Sequence, residues 1–273
     1  MINIRKFVKN AINEDNGRGD LFFDIAPKGD FTAKIISKSD GILAGVKYVE
    51  ILARTEKIDI EFLKQDGDKI VVGDVLATLE GKASKLLSSE RTMLNMLQHA
   101  SGIATMANKY VTMLDGIDVV LLDTRKTRPQ LRDFEKYASR IGGAINHRLG
   151  LDDCLMLKDT HLRTIDNLAE FVKKARKRIS WVTKIEIECE TFEQVKDAMS
   201  AGGDIIMCDN MNPEQIKEVV DFRNKNYPHI MLEASGNINI KTIREYAQTG
   251  VDAISSGSII HQATWLDFSM RVD

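Results

Sequence analysis

Cysteine is scarce in this chain: Cys154, Cys189 and Cys208 are the only three in 273 residues. They are odd in number, widely spaced and without a CxxC, which excludes a disulfide framework and offers no zinc-ligand spacing. A surplus of one charge is also missing. Lys and Arg number 38 against 40 Asp and Glu, for a formal net charge of −2, whereas a general nucleic-acid binder needs a broad basic face. No apolar run approaches membrane-spanning length, and the opening MINIRKFVKNAINEDNG has no apolar h-region. There is no Ser-His-Asp order or nucleophile elbow, no GxGxxG and no GxxxxGK[ST]. These absences argue against acyl hydrolysis, a Rossmann fingerprint and a P-loop. The remaining composition, 43% hydrophobic and 29% charged, is that of a globular protein expected in the cytoplasm, with neither nucleic acid nor membrane as a partner.

Against this even background one segment stands out. Between Arg125 and Arg148 there are seven Lys or Arg and two acids, Asp133 and Glu135, a local charge of +5. A self-solvating helix mixes both signs along its face. Here Arg125 and Lys126 sit in DTRKTRP, and Arg148 follows His147 in GGAINHR. Arginine beside turn residues suits two-pronged capture of carboxylate or phosphate. The segment therefore points to an enzyme that handles a small, multiply anionic substrate. Arg132, Lys136 and Arg140 are expected on an intervening helix, leaving four side chains of the segment, Arg125, Lys126, His147 and Arg148, as ligand contacts.

The texture of the chain changes near residue 115. Before it come a polar helical opening and strand-like segments, FTAKIISKSDGILAGV and IDIEFLKQDGDKIVVGDVLATLEGK, with turn signals at Asp66-Gly67-Asp68 and Gly73-Asp74. From Ser84 a long helical pattern follows, interrupted by Gly102, which leaves open one helix or two. After Gly116, short apolar runs at 118–122, 154–157, 182–188, 204–208, 230–234 and 252–256 alternate with amphipathic helical stretches. Such βα repetition with short connections indicates a mostly parallel sheet. Nearly every run ends in polar groups: Asp123 to Lys126, Lys158-Asp159, Glu186 and Glu188, Asp209-Asn210, Ser235-Gly236 and Gly257-Ser258. A βα barrel gathers all those ends at one mouth, so a barrel is preferred to a doubly wound sheet, which concentrates its site at one switch point.

Glu188 and Asp209 at such a mouth suit Mg²⁺ held through water and phosphate oxygens, or simple pairing with nearby Lys and Arg. Glu186 shares a strand face with Glu188 by the two-residue period, and one of the two is expected to be structural. The Ser-Gly turns on the last two strands suit a phosphate site built from backbone N–H groups, where a side chain would keep the backbone away. His147 beside Arg148 is placed to donate to an anion, although a solitary histidine is more often structural.

Long ordered motifs then carry a resemblance: EDNGRGD (14–20), SSERTMLNMLQHASGIAT (88–105), DTRKTRPQLRDFEKYASRIGGAINHRLGLDD (123–153), LKDTH (157–161), IEIECET (185–191), CDN (208–210), EASGNI (233–238) and TGVDAISSGSIIH (249–261). The chain resembles the quinolinate phosphoribosyltransferases over nearly its whole length. The resemblance implies an α/β fold of the type II phosphoribosyltransferases, with an N-terminal α/β sandwich domain (1–115) and an open α/β barrel (116–273) whose last residues pack back on the first domain. It implies transfer of phosphoribosyl from phosphoribosyl pyrophosphate to quinolinate with decarboxylation, Mg²⁺ as cofactor, and a homodimer with shared sites, or a larger assembly. By residue, it assigns Arg91 to the partner subunit's quinolinate site. Arg125, Lys126, His147, Arg148 and Lys158 fall to the basic pocket, and Glu188 and Asp209 to the ribose and Mg²⁺-pyrophosphate. Ser235, Gly236 and Gly257 fall to the 5′-phosphate loops, with His261 nearby. Lys126, Lys158, Glu188 and Asp209 are the catalytic candidates. Departures are Asn237 where the family often has glycine, GSIIHQ for the commoner GxLTHS, and Arg128 and Gln130. A relative associated with molybdenum transport, a nicotinate phosphoribosyltransferase and a silent paralogue are the competing readings; a silent paralogue would be expected to lose charged positions at the mouth, and all are retained.

Overall fold

The computed structural model describes residues 4–272; Met1 to Asn3 and Asp273, at the ends of the two expected domains, lie outside the described residues. The chain divides into two compact units. One runs to Asn108 and adds Pro129–Gly143 and the segment from Gln262 onward, and the other comprises Lys109–Arg128 and Ala144–His261. The division therefore differs from a single cut at residue 115.

In the first unit, helix α1 (Ile4–Asn16) buries Val8 and Ile12, one turn apart on the same face. Strand β1 (Asp30–Ser37) alternates, burying Ala33, Ile35 and Ser37, as a half-covered antiparallel strand should. Strands β2 (Gly41–Ile42) and β4 (Lys69–Ile70) form a small antiparallel pair. Strands β3 (Asp59–Phe62) and β5 (Val75–Lys82) join β1 and the last strand, β12 (Phe268–Val272), in the antiparallel order β12-β1-β5-β3. Helix α2 (Val46–Glu56) starts after Gly45, whose φ of 105° and approach to the Met96 carbonyl both favour glycine.

Helix α3 (Ala83–Thr112) is continuous through Gly102. A Cβ there would lie 2.9 Å from the Thr264 carbonyl carbon and 3.0 Å from Trp265 Cα. Glycine at this point admits a crossing backbone, and the helix bears its propensity cost. Helix α4 (Arg132–Ile141) also belongs here, because Phe134 stacks on Phe7 at 5.4 Å and meets Tyr48 edge-on at 4.8 Å. Its Tyr137 hydroxyl donates to Asp66 and accepts the Gly45 N–H. These contacts are why the packing boundary does not follow residue order.

The second unit is a six-stranded parallel sheet in the order β6-β11-β10-β9-β8-β7. Its strands are β6 (Val120–Leu122), β7 (Leu155–Leu157), β8 (Ile185–Cys189), β9 (Ile205–Asp209), β10 (Met231–Ser235) and β11 (Ala253–Ser255). All lie within or one residue beyond the six apolar runs. A lone parallel bridge, Leu122 to Ile145, extends the β6 edge; among the described residues no ladder joins β7 to β6, so the barrel is open.

The intervening helices are α5 (Asp159–Leu162), α6 (Leu168–Arg176), α7 (Phe192–Ser200), α8 (Pro213–Asn226), α9 (Ile243–Ala247) and α10 (Ser258–His261). Side-chain caps start three of them: Asn167, Thr191 and Asn212 accept the N–H three residues on, the last two within capping boxes. At the N-terminal ends of the strands, Arg176 reaches Asp204 at 2.6 Å and Arg223 reaches Asp252 at 2.8 Å. The same two carboxylates accept the N–H groups of Ile185 and Leu232 at 2.6 Å each.

Candidate active site

The parallel register aligns the opposite, C-terminal ends. Glu188 on β8 is level with Met207 on β9, which is level with Glu233 on β10. Two residues further, Asp209 is level with Ser235, and Ser255 with Leu122. The two-residue period places these groups on one face of the sheet. Ser255 Oγ donates to Ser235 Oγ at 3.0 Å, joining β11 to β10.

Lys158, at the end of β7, donates to and pairs with Glu188. The Asp209 carboxyl is raised by burial and by Glu188, and drawn back by Lys158 and Lys126. Asp209 thus feels Glu188, Lys158 and Lys126, the four groups coming from four strand ends. A Cβ on Gly257 would lie 2.8 Å from Lys126 Cδ and 3.2 Å from the His261 ring, so these three positions also meet. Gly236 has φ 92°, and a Cβ there would stand 2.6 Å from the Asn210 N. Asn210 and Asn237 both have positive φ, 57° and 54°. Asn210 Nδ2 donates to Asp209 at 2.7 Å, and its Oδ1 accepts from Asn237 Nδ2 at 3.0 Å. Asn237 therefore takes the left-handed backbone of a glycine and adds a tie to the Asn210 amide, which in turn holds Asp209.

The basic segment is held by buried acids. Asp123, fully buried at the end of β6, accepts the His147 N–H at 2.9 Å and Asn146 Nδ2 at 2.6 Å. His147 Nε2 lies 3.2 Å from an oxygen of Glu186 and 3.2 Å from one of Glu233, both carboxyls being buried. Its Nδ1 accepts the Arg148 N–H at 2.6 Å, and Arg148 Nη1 donates to the Cys154 carbonyl at 3.2 Å. Ligand atoms of His147, Glu186 and Glu233 lie within 4.8 Å of one another, as at a metal centre. A metal on Nε2 would put the ring proton on Nδ1, where the Arg148 N–H already points, so this donor set does not fit a cation.

Burial disfavours a charged His147 ring, while hydrogen bonds and charge from Glu186 and Glu233 pull the other way. The Arg148 N–H opposes a second ring proton. Burial, reinforced by Glu233, holds Glu186 above the usual carboxylate range against the pull of His147. Cys154 is pushed up to about 12 by burial and the Glu186 charge, and is no thiolate nucleophile.

Ten expected positions thus lie at the strand ends of this unit or on the connections leaving them, with His261 closing α10, while Arg91 is exposed on α3 in the other unit. Residue-type reasoning gave no role to Asp123 or Glu233, and left Glu186 undecided. For Glu186 the two-residue spacing from Glu188 was the available signal, and for Asp123 its place at a strand end.

Two family models match this chain: "Quinolinate phosphoribosyl transferase, N-terminal domain" over residues 20–101 and "Quinolinate phosphoribosyl transferase, C-terminal domain" over 103–271. The chain is 40% identical over 274 residues to the Bacillus subtilis (strain 168) "Probable nicotinate-nucleotide pyrophosphorylase [carboxylating]", covering 99% of this chain and 94% of that one. It is similar in structure to the nicotinate-nucleotide pyrophosphorylase from Francisella tularensis, with a TM-score of 0.91, 34% identity, and 99% and 96% of the two chains covered. The corresponding structure from Ehrlichia chaffeensis gives a TM-score of 0.93 at 33% identity, covering 100% and 99%. No helix among the described residues is long and apolar enough to cross a membrane. With both domain models matched in order along one chain, the chain belongs to the quinolinate phosphoribosyl transferase family.

Proposed function

We propose that the chain transfers the phosphoribosyl group of phosphoribosyl pyrophosphate to quinolinate and releases the 2-carboxylate as CO₂, giving nicotinate mononucleotide and pyrophosphate for NAD biosynthesis. The observation that carries this reading is the array at the C-terminal strand ends. Cations (Arg125, Lys126, Arg148, Lys158), carboxylates (Glu188, Asp209) and a Ser-Gly phosphate turn (Ser235, Gly236) occupy the connections of one parallel sheet. Arg125 and Arg148 are assigned to the two ring carboxylates. Ser235, Gly236 and Gly257, with His261 nearby, are assigned to the 5′-phosphate, whose approach side chains would obstruct.

Lys126 and Lys158 stabilise pyrophosphate as the C1–O bond breaks. Glu188 and Asp209 stabilise the positive charge that develops on the ribose. The ring nitrogen attacks C1 with its lone pair and becomes a pyridinium. That cation lowers the cost of losing the neighbouring carboxylate, since the electron pair left at C2 lies beside positive nitrogen; C2 then takes up a proton. The basic pocket orients the ring and needs no dedicated base. The donor set of Glu188 and Asp209, two partly accessible carboxylates whose charges interact, fits a hard cation that keeps water ligands. Mg²⁺ held there would neutralise charge on the leaving pyrophosphate.

We assign the protein to the cytoplasm, and to a homodimer in which Arg91 of one protomer serves the partner's site. Mixing an Arg91→Ala chain with an Arg148→Ala chain should then restore activity that neither has alone; no recovery removes the shared site. The direct experiment supplies quinolinate, phosphoribosyl pyrophosphate and Mg²⁺ and measures CO₂ and nicotinate mononucleotide. Equal amounts of the two products are expected. Turnover of nicotinate in preference to quinolinate overturns the acceptor assignment, and no product from either overturns the function.

A further inference from the structure

Glu186 and Glu233 take no part in the transfer just described, yet they are fully or almost fully buried and face the one histidine of the basic segment. A carboxylate oxygen without a proton only accepts, so two carboxyls directed at Nε2 keep a proton on that nitrogen. The neutral ring then presents a bare Nδ1, and the Arg148 N–H fills it at 2.6 Å. Both ring nitrogens are thereby engaged within the protein, with no N–H left over to reach a substrate carboxylate. The backbone on either side is fixed as well, by Asp123 at the His147 N–H and by the ring at the Arg148 N–H.

We propose that Glu186 and Glu233 are positioning residues of the acceptor pocket: they hold the His147 ring in its Nε2–H form, and the ring in turn fixes the backbone of Arg148. His147 then acts on the dicarboxylate through Arg148 and not by its own hydrogen bond. This rests on the reading of the basic segment as the quinolinate site. The physical reason is the rigidity that a planar guanidinium fork requires: bidentate capture is strong only when both N–H groups are aimed before the ligand arrives. Arg148 already spends one donor on the Cys154 carbonyl, and its N–H on the ring spends a second constraint on direction.

Side-chain isosteres separate the two roles of His147. Asparagine places an acceptor close to the Nδ1 position, and glutamine places a donor close to Nε2. His147→Asn should raise KM for quinolinate about threefold and His147→Gln about thirtyfold, with KM for phosphoribosyl pyrophosphate within about twofold in both. The opposite order means that Nε2 serves the substrate directly and overturns the proposal. Glu233→Ala should raise the quinolinate KM about tenfold, and Glu233→Gln, which keeps an acceptor, should recover all but about threefold. An equal rise in both KM values, or a lowered melting temperature with both KM values unchanged, marks a merely structural carboxyl and overturns it. Histidine ¹⁵N spectra of the substrate-free protein decide the tautomer without any turnover. The signal lost in His147→Asn should belong to an Nε2–H ring, and an imidazolium there at neutral pH overturns the proposal even in an active enzyme. Absence of turnover with a correct tautomer would instead fault the proposed reaction.

Discussion

At the N-terminal ends of the parallel strands, Asp204 and Asp252 each accept one arginine and one backbone N–H. At the C-terminal ends, Glu188 has Lys158, while Asp209 accepts from the neighbouring Asn210 side chain and carries a raised pKa. Both rims hold carboxylates and cations together. One closes its charges against each other and against the backbone, as a fold-stabilising device should. The other leaves Glu188 and Asp209 partly accessible and backs them with glycine turns. Charge content alone does not mark a site; the degree to which the charges are already satisfied does.

The sharpest way to break this contrast is to remove a cation from each rim. Arg148→Ala should lower kcat/KM for quinolinate about ten- to a hundredfold, the loss of a charge-assisted contact worth about 1.5–3 kcal/mol, with little change in melting temperature. Normal kcat/KM would remove Arg148 from the pocket. Asp252→Ala at the opposite rim should do the reverse. It leaves the buried Arg223 guanidinium without its carboxylate, costs about 2 kcal/mol of stability, and lowers Tm by several degrees while both KM values hold. A change in KM without a change in Tm would show that the two rims are not separate in function.

Smaller effects test the glycine turns. Gly236→Ala forces a Cβ against Asn210 at a φ of 92°, and should raise KM for phosphoribosyl pyrophosphate about tenfold more than that for quinolinate. Asn237→Gly keeps the backbone and removes one hydrogen bond. It should cost about 0.5–1.5 kcal/mol in binding of phosphoribosyl pyrophosphate, read as a several-fold rise in Kd by titration calorimetry. An unchanged Kd would reduce the Asn210–Asn237 tie to a surface contact.

The parallel half was legible in the sequence because strands buried on both faces read as near-continuous apolar runs, and VVLL or IIMC admits little else. The charged strand ends followed from the same punctuation. The antiparallel half was less so. RDFEKYASRI reads as an amphipathic helix, but nothing local says that Phe134 packs on Phe7 and Tyr48, more than 80 residues earlier in the chain. Gly102 left one helix or two undecided for a similar reason, since the backbone that requires it arrives from Thr264 and Trp265. Glu233 could be read only as part of a Ser-Gly motif, because its partner is a ring on a distant loop. The charged strand-end residues announce themselves by type, whereas the buried carboxyls that meet them are visible only once the chain is folded.

The pairing of β1 with β12, from Ala33 opposite Val272 to Ser37 opposite Phe268, sets an order of events during synthesis. The six strands of the parallel sheet all lie between Val120 and Ser255 and can assemble as soon as that stretch has left the ribosome. Residues 30–37 emerge long before, but one edge of their sheet stays unpaired until the last strand follows. The half of the molecule that is made first is therefore completed last, and an exposed strand edge must wait through most of translation. Removing residues 268–272 should thus injure the early unit and spare the later one.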